Sequence, residues 1–77
     1  MTTVEKINYM IACLQMAKEE AEYLEHYKGQ EKKVSEDHNK WWSWYCQNRT
    51  PNKALIKDNL RNVARTGFVV AKEVEKN

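Results

Sequence analysis

Residues 3–28 read TVEKINYMIACLQMAKEEAEYLEHYK, and their apolar side chains recur at intervals of three and four positions. This spacing is typical of an amphipathic α-helix that buries one face. The predicted seam consists of Ile7, Met10, Leu14, Ala17, Ala21 and Leu24. Thr2 or Thr3 can cap the start, and Gly29 predicts the end at about residue 28, because glycine enters the left-handed region freely. The alternative is one longer helix that tolerates Gly29 at about 1 kcal/mol.

A second long helix is predicted over about residues 51–75. Thr50 supplies a capping hydroxyl, and Pro51 follows at the first helical position, where its missing N–H would have been unpaired anyway. The predicted seam of this helix consists of Ile56, Leu60, Val63, Gly67, Val70 and Val74. A glycine inside a helix lowers stability, so Gly67 predicts a close approach by the facing helix near Ala17 or Ala21, or by a bound ligand.

All three tryptophans lie between these helices, in the segment Trp41-Trp42-Ser43-Trp44-Tyr45-Cys46. Ser35 is predicted to cap a short helix over about residues 36–48, with Glu36 and Asp37 in its first turn, where acids complement the helix dipole. Neighbouring side chains on a helix point in different directions. Trp41, Trp44 and Tyr45 are predicted to share one face, and Trp42 and Cys46 another. One row can therefore enter the hairpin while the other forms a contact surface.

The whole chain, residues 1–77, is predicted to be a single all-α domain. It forms an antiparallel hairpin of two long helices (about 3–28 and 51–75), with the short Trp-rich helix (about 36–48) between them. Two glycines, one proline and the lack of alternating β-branched runs argue against strands. At this length folding hides only about 60% of the unfolded surface, and small domains often add stability by associating with copies of themselves.

A second row of side chains on the first helix also favours a homo-oligomer. The row consists of Tyr9, Cys13, Met16, Glu20, Tyr23 and Tyr27. Together with the seam it widens the apolar face to roughly 200°, which one neighbouring helix cannot cover. Either the Trp-rich helix folds over the remainder and completes a three-helix bundle, or a second copy of the chain covers it. The oligomer interface predicted from this row consists of Tyr9, Met16, Tyr23 and Tyr27.

The charge is polarised along the chain although the net charge is only +2. Residues 1–38 carry five lysines against eight acids (−3), and residues 39–77 carry eight cations against three acids (+5). Four of these cations recur every four positions, namely Lys53, Lys57, Arg61 and Arg65. Two alternatives are open: ion pairs with acids of the first helix such as Glu20, Glu22 and Glu25, or binding of phosphates together with Lys40 and Arg49.

No pattern in the sequence predicts catalysis, a cofactor or a metal site. His26, His38, Cys13 and Cys46 do not lie at the short spacings that hold zinc, and the chain has neither a phosphate loop nor a glycine-rich nucleophile elbow. The cysteines are expected to be reduced packing residues. No run approaches the roughly 18 apolar residues of a membrane span, and no apolar leader is recognisable, so a cytoplasmic protein without membrane contact is expected.

The stretch at residues 65–74, RTGFVVAKEV, resembles the last helix of phage helical-hairpin proteins that sequester cyclic oligonucleotide signals of anti-phage defence. In that family a Thr-Gly-Phe-type turn of helix is followed by small apolar residues, a cation and a valine. The resemblance covers ten of the 77 residues, and the tryptophan segment has no counterpart in the family. It implies a helical hairpin, a homo-oligomer and a nucleotide bound between protomers.

Two functional hypotheses follow. The first is a small non-enzymatic, homo-oligomeric binding protein, a phage-type accessory or inhibitor, that acts stoichiometrically on a protein partner. The alternative is a nucleotide or nucleic-acid binder, since aromatic rings stack on bases while cations meet the phosphates. Both use the same predicted binding residues, which are Lys40, Trp41, Trp42, Trp44, Tyr45, Arg49, Arg61 and Arg65.

Overall fold

The computed structural model describes residues 1–76, and these form three α-helices and no strand. Helix α1 spans Thr3–Val34, α2 spans His38–Gln47 and α3 spans Lys53–Lys76. Helices α1 and α3 pack as a hairpin, which confirms the predicted all-α architecture. The molecule is a rod, 61 Å long and 15 by 14 Å across. Within residues 1–76, no helix combines the length and the apolar character needed to cross a membrane.

The first helix is longer than predicted, because it continues through Gly29 to Val34. Gly29 keeps an ordinary right-handed helical backbone and does not act as a stop. The expected cost of about 1 kcal/mol is offset by packing, since α2 lies against the last turns of α1. At the other end Thr2 caps the helix as predicted, and Glu5 returns a hydrogen bond to the Thr2 amide in a reciprocal capping box.

Helices α2 and α3 each begin two residues later than predicted. Ser35 does not cap α2, because its hydroxyl donates to the carbonyl of Lys32 and closes α1. The N-cap of α2 is Asp37, whose carboxylate accepts the first free amides of the helix. At α3 the expected Thr50-Pro51 start is replaced by Asn52, whose side chain accepts the Leu55 amide at 3.0 Å. Asn52, in the loop before α3, therefore sets the residue at which α3 begins.

Helices α2 and α3 lie one after the other along the same side of α1. Trp44 of α2 packs on Tyr27, near the C-terminal end of α1, with ring centroids 4.8 Å apart. Close to the opposite end, Lys6 of α1 forms an ion pair with Glu73 of α3. Within residues 1–76, α2 contacts α1 and makes no contact with α3. The Trp-rich helix therefore does not complete a three-helix bundle over the hairpin.

The core draws on the predicted seams and on the row beside the α1 seam. Its buried side chains include the seam members Ala17 and Val70, together with Cys13 and Tyr27 of the second row. Four other members of the predicted seams, Ile7, Leu14, Leu60 and Val74, are exposed. Cys13, Glu20 and Tyr27, which recur every seven residues, lie on the buried side of α1. Two packed helices make contact at a seven-residue period. The predicted seam of α1 and the row beside it were both apolar enough to supply such contacts.

Candidate functional site

The outward face of α2 carries an aromatic ladder, defined here as Trp41, Trp42 and Tyr45. The rings of Trp41 and Tyr45 stack with centroids 5.2 Å apart and an interplanar angle of 18°. The Trp42 and Tyr45 rings are 6.0 Å apart at 23°. Trp42 is 55% exposed and Tyr45 is 38% exposed, while Trp41 is half-buried. The ladder is thus an ordered apolar surface that faces solvent.

Trp44 belongs to a different row from the aromatic ladder. Its ring contacts Tyr27 of α1, which is only 7% exposed. Its carbonyl accepts a hydrogen bond from the Asn48 side chain at 2.8 Å, which holds the end of α2. As expected for neighbouring positions on a helix, one tryptophan row therefore attaches α2 to α1 and the other points away. Trp44 is a packing residue, unlike the remaining predicted aromatic binding residues.

The connection from α2 to α3 is held by what we call the Glu20 clamp. Arg49 donates two hydrogen bonds to the two carboxylate oxygens of Glu20, at 2.7 and 2.8 Å. The backbone amide of Asn52 donates to the same carboxylate at 2.7 Å. Tyr23 completes the clamp, because its hydroxyl donates to the Arg49 carbonyl at 2.7 Å and the guanidinium lies 4.2 Å from its ring centroid. These contacts fix the loop on α1.

The clamp is charged at neutral pH. The hydrogen bonds from Arg49 and from the Asn52 amide lower the pKa of Glu20 from 4.5 to about 2. The carboxylate in turn raises the pKa of Arg49 above its ordinary value. The Arg49 guanidinium is therefore already paired with a carboxylate, while its side chain stays 59% exposed. Its role in holding a ligand phosphate stays a prediction. Glu20 likewise pairs with Arg49 and not with the cations of α3.

The other predicted cations are dispersed along the rod. Lys40 lies within α2 beside the aromatic ladder and is exposed. Arg61 lies in α3 with its guanidinium 3.9 Å from the Asp58 carboxylate, within its own helix. Arg65 lines a cavity of about 280 Å³ toward the ends of the chain, with Met1, Lys6, Tyr9, Thr66 and Val69. The structure thus brings Lys40 close to the ladder and leaves Arg61 and Arg65 away from it.

Of the four residues predicted for the oligomer interface, two pack inside one chain and two are exposed. Tyr27 is buried against Trp44 inside one chain, and Tyr23 is half-buried with its hydroxyl bonded to Arg49. Both tyrosines therefore serve the fold of a single protomer, which corrects their expected role. Tyr9 and Met16 remain exposed at 42% and 49%.

Within residues 1–76, no group of three or more histidine, cysteine, aspartate or glutamate side chains is arranged to hold a metal ion. Both cysteines are free, with Cys13 buried and Cys46 exposed, so only Cys13 is the expected packing residue. Sequence reasoning missed the Glu20 clamp. Its available signal was an acid within an otherwise apolar row, which requires a buried partner. No family model, curated protein or solved structure matches this chain.

Proposed function

We propose that this chain is a non-enzymatic binding protein that engages a protein partner stoichiometrically through the aromatic ladder of α2. The observation that carries the proposal is the exposure of Trp42, at 55%, within an ordered stack of rings. Tryptophan and tyrosine are the residues most enriched where protein interfaces concentrate their binding energy. A single folded domain seldom leaves such a cluster in water without a use.

The charge around the ladder favours a protein partner over a nucleic acid. A binder of single-stranded nucleic acid combines stacking rings with several cations that follow the phosphates. Here Lys40 lies beside the rings, whereas Arg49 is held by Glu20 and Arg65 lies against Lys6 and Tyr9. The ladder therefore offers much apolar surface and little positive charge.

The shape of α2 indicates how a partner would be bound. Trp41, Trp42 and Tyr45 occupy positions i, i+1 and i+4 of a ten-residue helix whose Trp44 packs on α1. This is the arrangement of a helix that lays its aromatic side chains in an apolar groove. The cations near α2, Lys32, Lys33 and Lys40, are matched in number by the acids Glu31, Glu36 and Asp37. The groove that fits best is therefore apolar.

The proposal is tested by comparing proteins retained by the tagged wild type, Trp42→Ala and Phe68→Ala. Phe68 is the matched control, because it is 64% exposed and lies on α3, outside the ladder. A specific partner is retained by the wild type and Phe68→Ala and lost with Trp42→Ala. It must then bind as a purified protein at a fixed molar ratio in calorimetry. If no retained protein distinguishes the two variants, the aromatic ladder is not the binding surface.

A nucleotide is a second candidate ligand, favoured by the cavity beside Arg65. Its lining is largely apolar and includes the ring of Tyr9 and the cation Arg65, whereas Lys6 is paired with Glu73. Such a surface suits a base, with Arg65 as the group that meets its phosphate. The resemblance of residues 65–74 to cyclic-oligonucleotide-binding phage proteins supports the same ligand class.

Thermal denaturation with cyclic dinucleotides, at two salt concentrations, tests this second candidate. Binding raises the midpoint, and the rise shrinks at high salt because phosphate contacts are screened. Arg65→Ala should abolish the shift, whereas Arg61→Ala, which lies one turn earlier on α3, should retain it. The absence of any shift with the wild type excludes this ligand class.

A further inference from the structure

A second apolar surface runs along one flank of the hairpin, distinct from the aromatic ladder. We call it the aliphatic flank, and its large members are Val4, Ile7, Ile11, Leu14, Leu60 and Val74, each between 41% and 66% exposed. Leu14 and Leu60 line one shallow groove together, which places the two helices' contributions on the same side. Ile7 lies seven residues before Leu14, and Val74 lies fourteen residues after Leu60. Seven residues are about two helical turns, so Ile7 and Val74 lie on the same side as Leu14 and Leu60.

The two halves of the aliphatic flank have complementary shapes. On α1 the exposed side chains are bulky, and Val4, Ile7, Ile11 and Leu14 form a continuous ridge. On α3 the residues between Leu60 and Val74 that face the same side are small, namely Ala64, Gly67 and Ala71. These form a shallow trough. Helices pack by inserting a ridge of side chains into a groove of this kind. Within one chain the ridge and the trough lie side by side, so the ridge cannot enter the trough of its own chain.

Gly67 in the middle of this trough is not explained by packing inside the hairpin. A Cβ at Gly67 would lie 3.6 Å from the Met10 sulfur, which is ordinary van der Waals contact. The predicted close approach to Ala17 or Ala21 is therefore wrong, and the hairpin itself would accept an alanine. Alanine would also stabilise the helix by about 1 kcal/mol. Within residues 1–76, no atom close to Gly67 therefore requires a glycine there.

We propose that a second copy of the chain covers the aliphatic flank, with the α1 ridge of each copy packed into the α3 trough of the other. A two-fold axis along the length of the rod generates both contacts at once. The result is a four-helix bundle. Because the axis is parallel to the helices, the two aromatic ladders lie at the same end of the dimer.

The apolar area agrees with what a dimer needs. The exposed parts of the six large side chains amount to roughly 500 Å² per chain, at the upper end of the largest patch on an ordinary monomer. Two flanks then supply roughly 1,000 Å², and the side chains that border them bring the total toward the 1,200–2,000 Å² of a stable interface. Within residues 1–76, no large side chain is fully buried in the single hairpin. Covering the aliphatic flank would therefore add to a core that is small.

The oligomeric mass of two matched variants tests the choice of flank. Ile11 is 59% exposed on the ridge, and Met16 is 49% exposed on the opposite flank of α1. Light scattering after size-exclusion chromatography should give a dimer for the wild type and Met16→Glu, and a helical monomer for Ile11→Glu. A monomeric wild type overturns the proposal. Dissociation by Met16→Glu with an intact dimer for Ile11→Glu overturns it in favour of the other flank.

Two glycine variants give a test that does not depend on introducing a charge. Gly29 has no atom within 4 Å of an added Cβ, so Gly29→Ala should stabilise α1 and leave the dimer unchanged. Gly67→Ala should instead weaken the dimer about tenfold, because the added methyl enters the trough. If Gly67→Ala raises the thermal midpoint as Gly29→Ala does and leaves the dimerisation constant unchanged, no second chain occupies the trough.

The orientation is tested with the exposed Cys46, since Cys13 is buried and reacts slowly with a spin label. Labels on Cys46 of the two copies should be closer together than half the 61 Å length of the hairpin. A separation near or above the full length overturns the two-fold axis along the rod. Trp42→Ala should still dimerise, so failure of partner binding and failure of dimerisation are seen separately.

Discussion

Trp42 and Trp44 are neighbours in one helix, and replacing each by alanine should have opposite consequences for stability and binding. Trp44 is half-buried, and its ring packs against the Tyr27 ring at a tilt of 47°, with centroids 4.8 Å apart. Removing a fully buried tryptophan costs about 3–5 kcal/mol, and an aromatic pair adds about 0.5–1.5 kcal/mol to its area term. For a half-buried ring we expect about 2–3 kcal/mol. Trp42 is 55% exposed, and its loss should change stability by less than about 0.5 kcal/mol.

The two variants are compared by urea denaturation and by hydrogen exchange. Because α2 contacts α1 and not α3 within residues 1–76, Trp44→Ala should first release the amides of α2. The thermal midpoint should fall by about 8–24 °C, at about 4–8 °C per kcal/mol in a domain of this size. Trp42→Ala should keep the wild-type midpoint and exchange pattern. Equal destabilisation by both variants would refute the division of α2 into an attaching row and an outward row.

Three further predictions concern the clamp and the helix ends. Since the pKa of Glu20 is lowered to about 2, the contribution of its carboxylate to stability is complete above pH 4.5 and is lost as the pH falls toward 2. The urea midpoint of Glu20→Gln should therefore drop less between pH 6 and pH 3 than that of the wild type. An unchanged drop would mean that other carboxylates dominate. Asp37→Ala removes the N-cap of α2 and should lower its stability by about 1 kcal/mol, measured by exchange of α2 amides. Gly29→Ala should raise the thermal midpoint, since α1 is helical there and the added methyl meets no atom; a lower midpoint would argue that α1 breaks at Gly29.

The helical hairpin could be predicted from the sequence because it depends on local signals. Seams with a spacing of three and four residues, a capping threonine and the lack of strand patterns all act within a few turns of helix. The rotation of each helix about its own axis, which decides the row that is buried, could not be predicted from these local signals. Two adjacent rows of α1 were both apolar, and the choice between them was decided by Glu20 and Tyr27 meeting residues far along the chain.

The same distinction applies to the candidate site. That one row of α2 attaches and another faces outward follows from helix geometry. The sequence analysis grouped Trp41 and Tyr45 with Trp44, which is wrong, because their rings lie with Trp42 in the outward ladder. Arg49 was predicted to bind a ligand because it is a cation near tryptophans. Its bidentate bond to Glu20 joins residues 29 positions apart, and no periodicity in the sequence reports a contact of that range.

The attachment of α2 to α1 alone also bears on how such a protein could change its partner. Substitutions on the outward row of α2 lie apart from the α1–α3 contact, and distant sites contribute to stability almost independently. Trp41, Trp42 and Tyr45 can therefore vary with little penalty to the hairpin, while Trp44 and the Glu20 clamp keep the helix in place. Under the proposed function, such separation allows the aromatic ladder to diverge quickly between related chains whose scaffold stays the same.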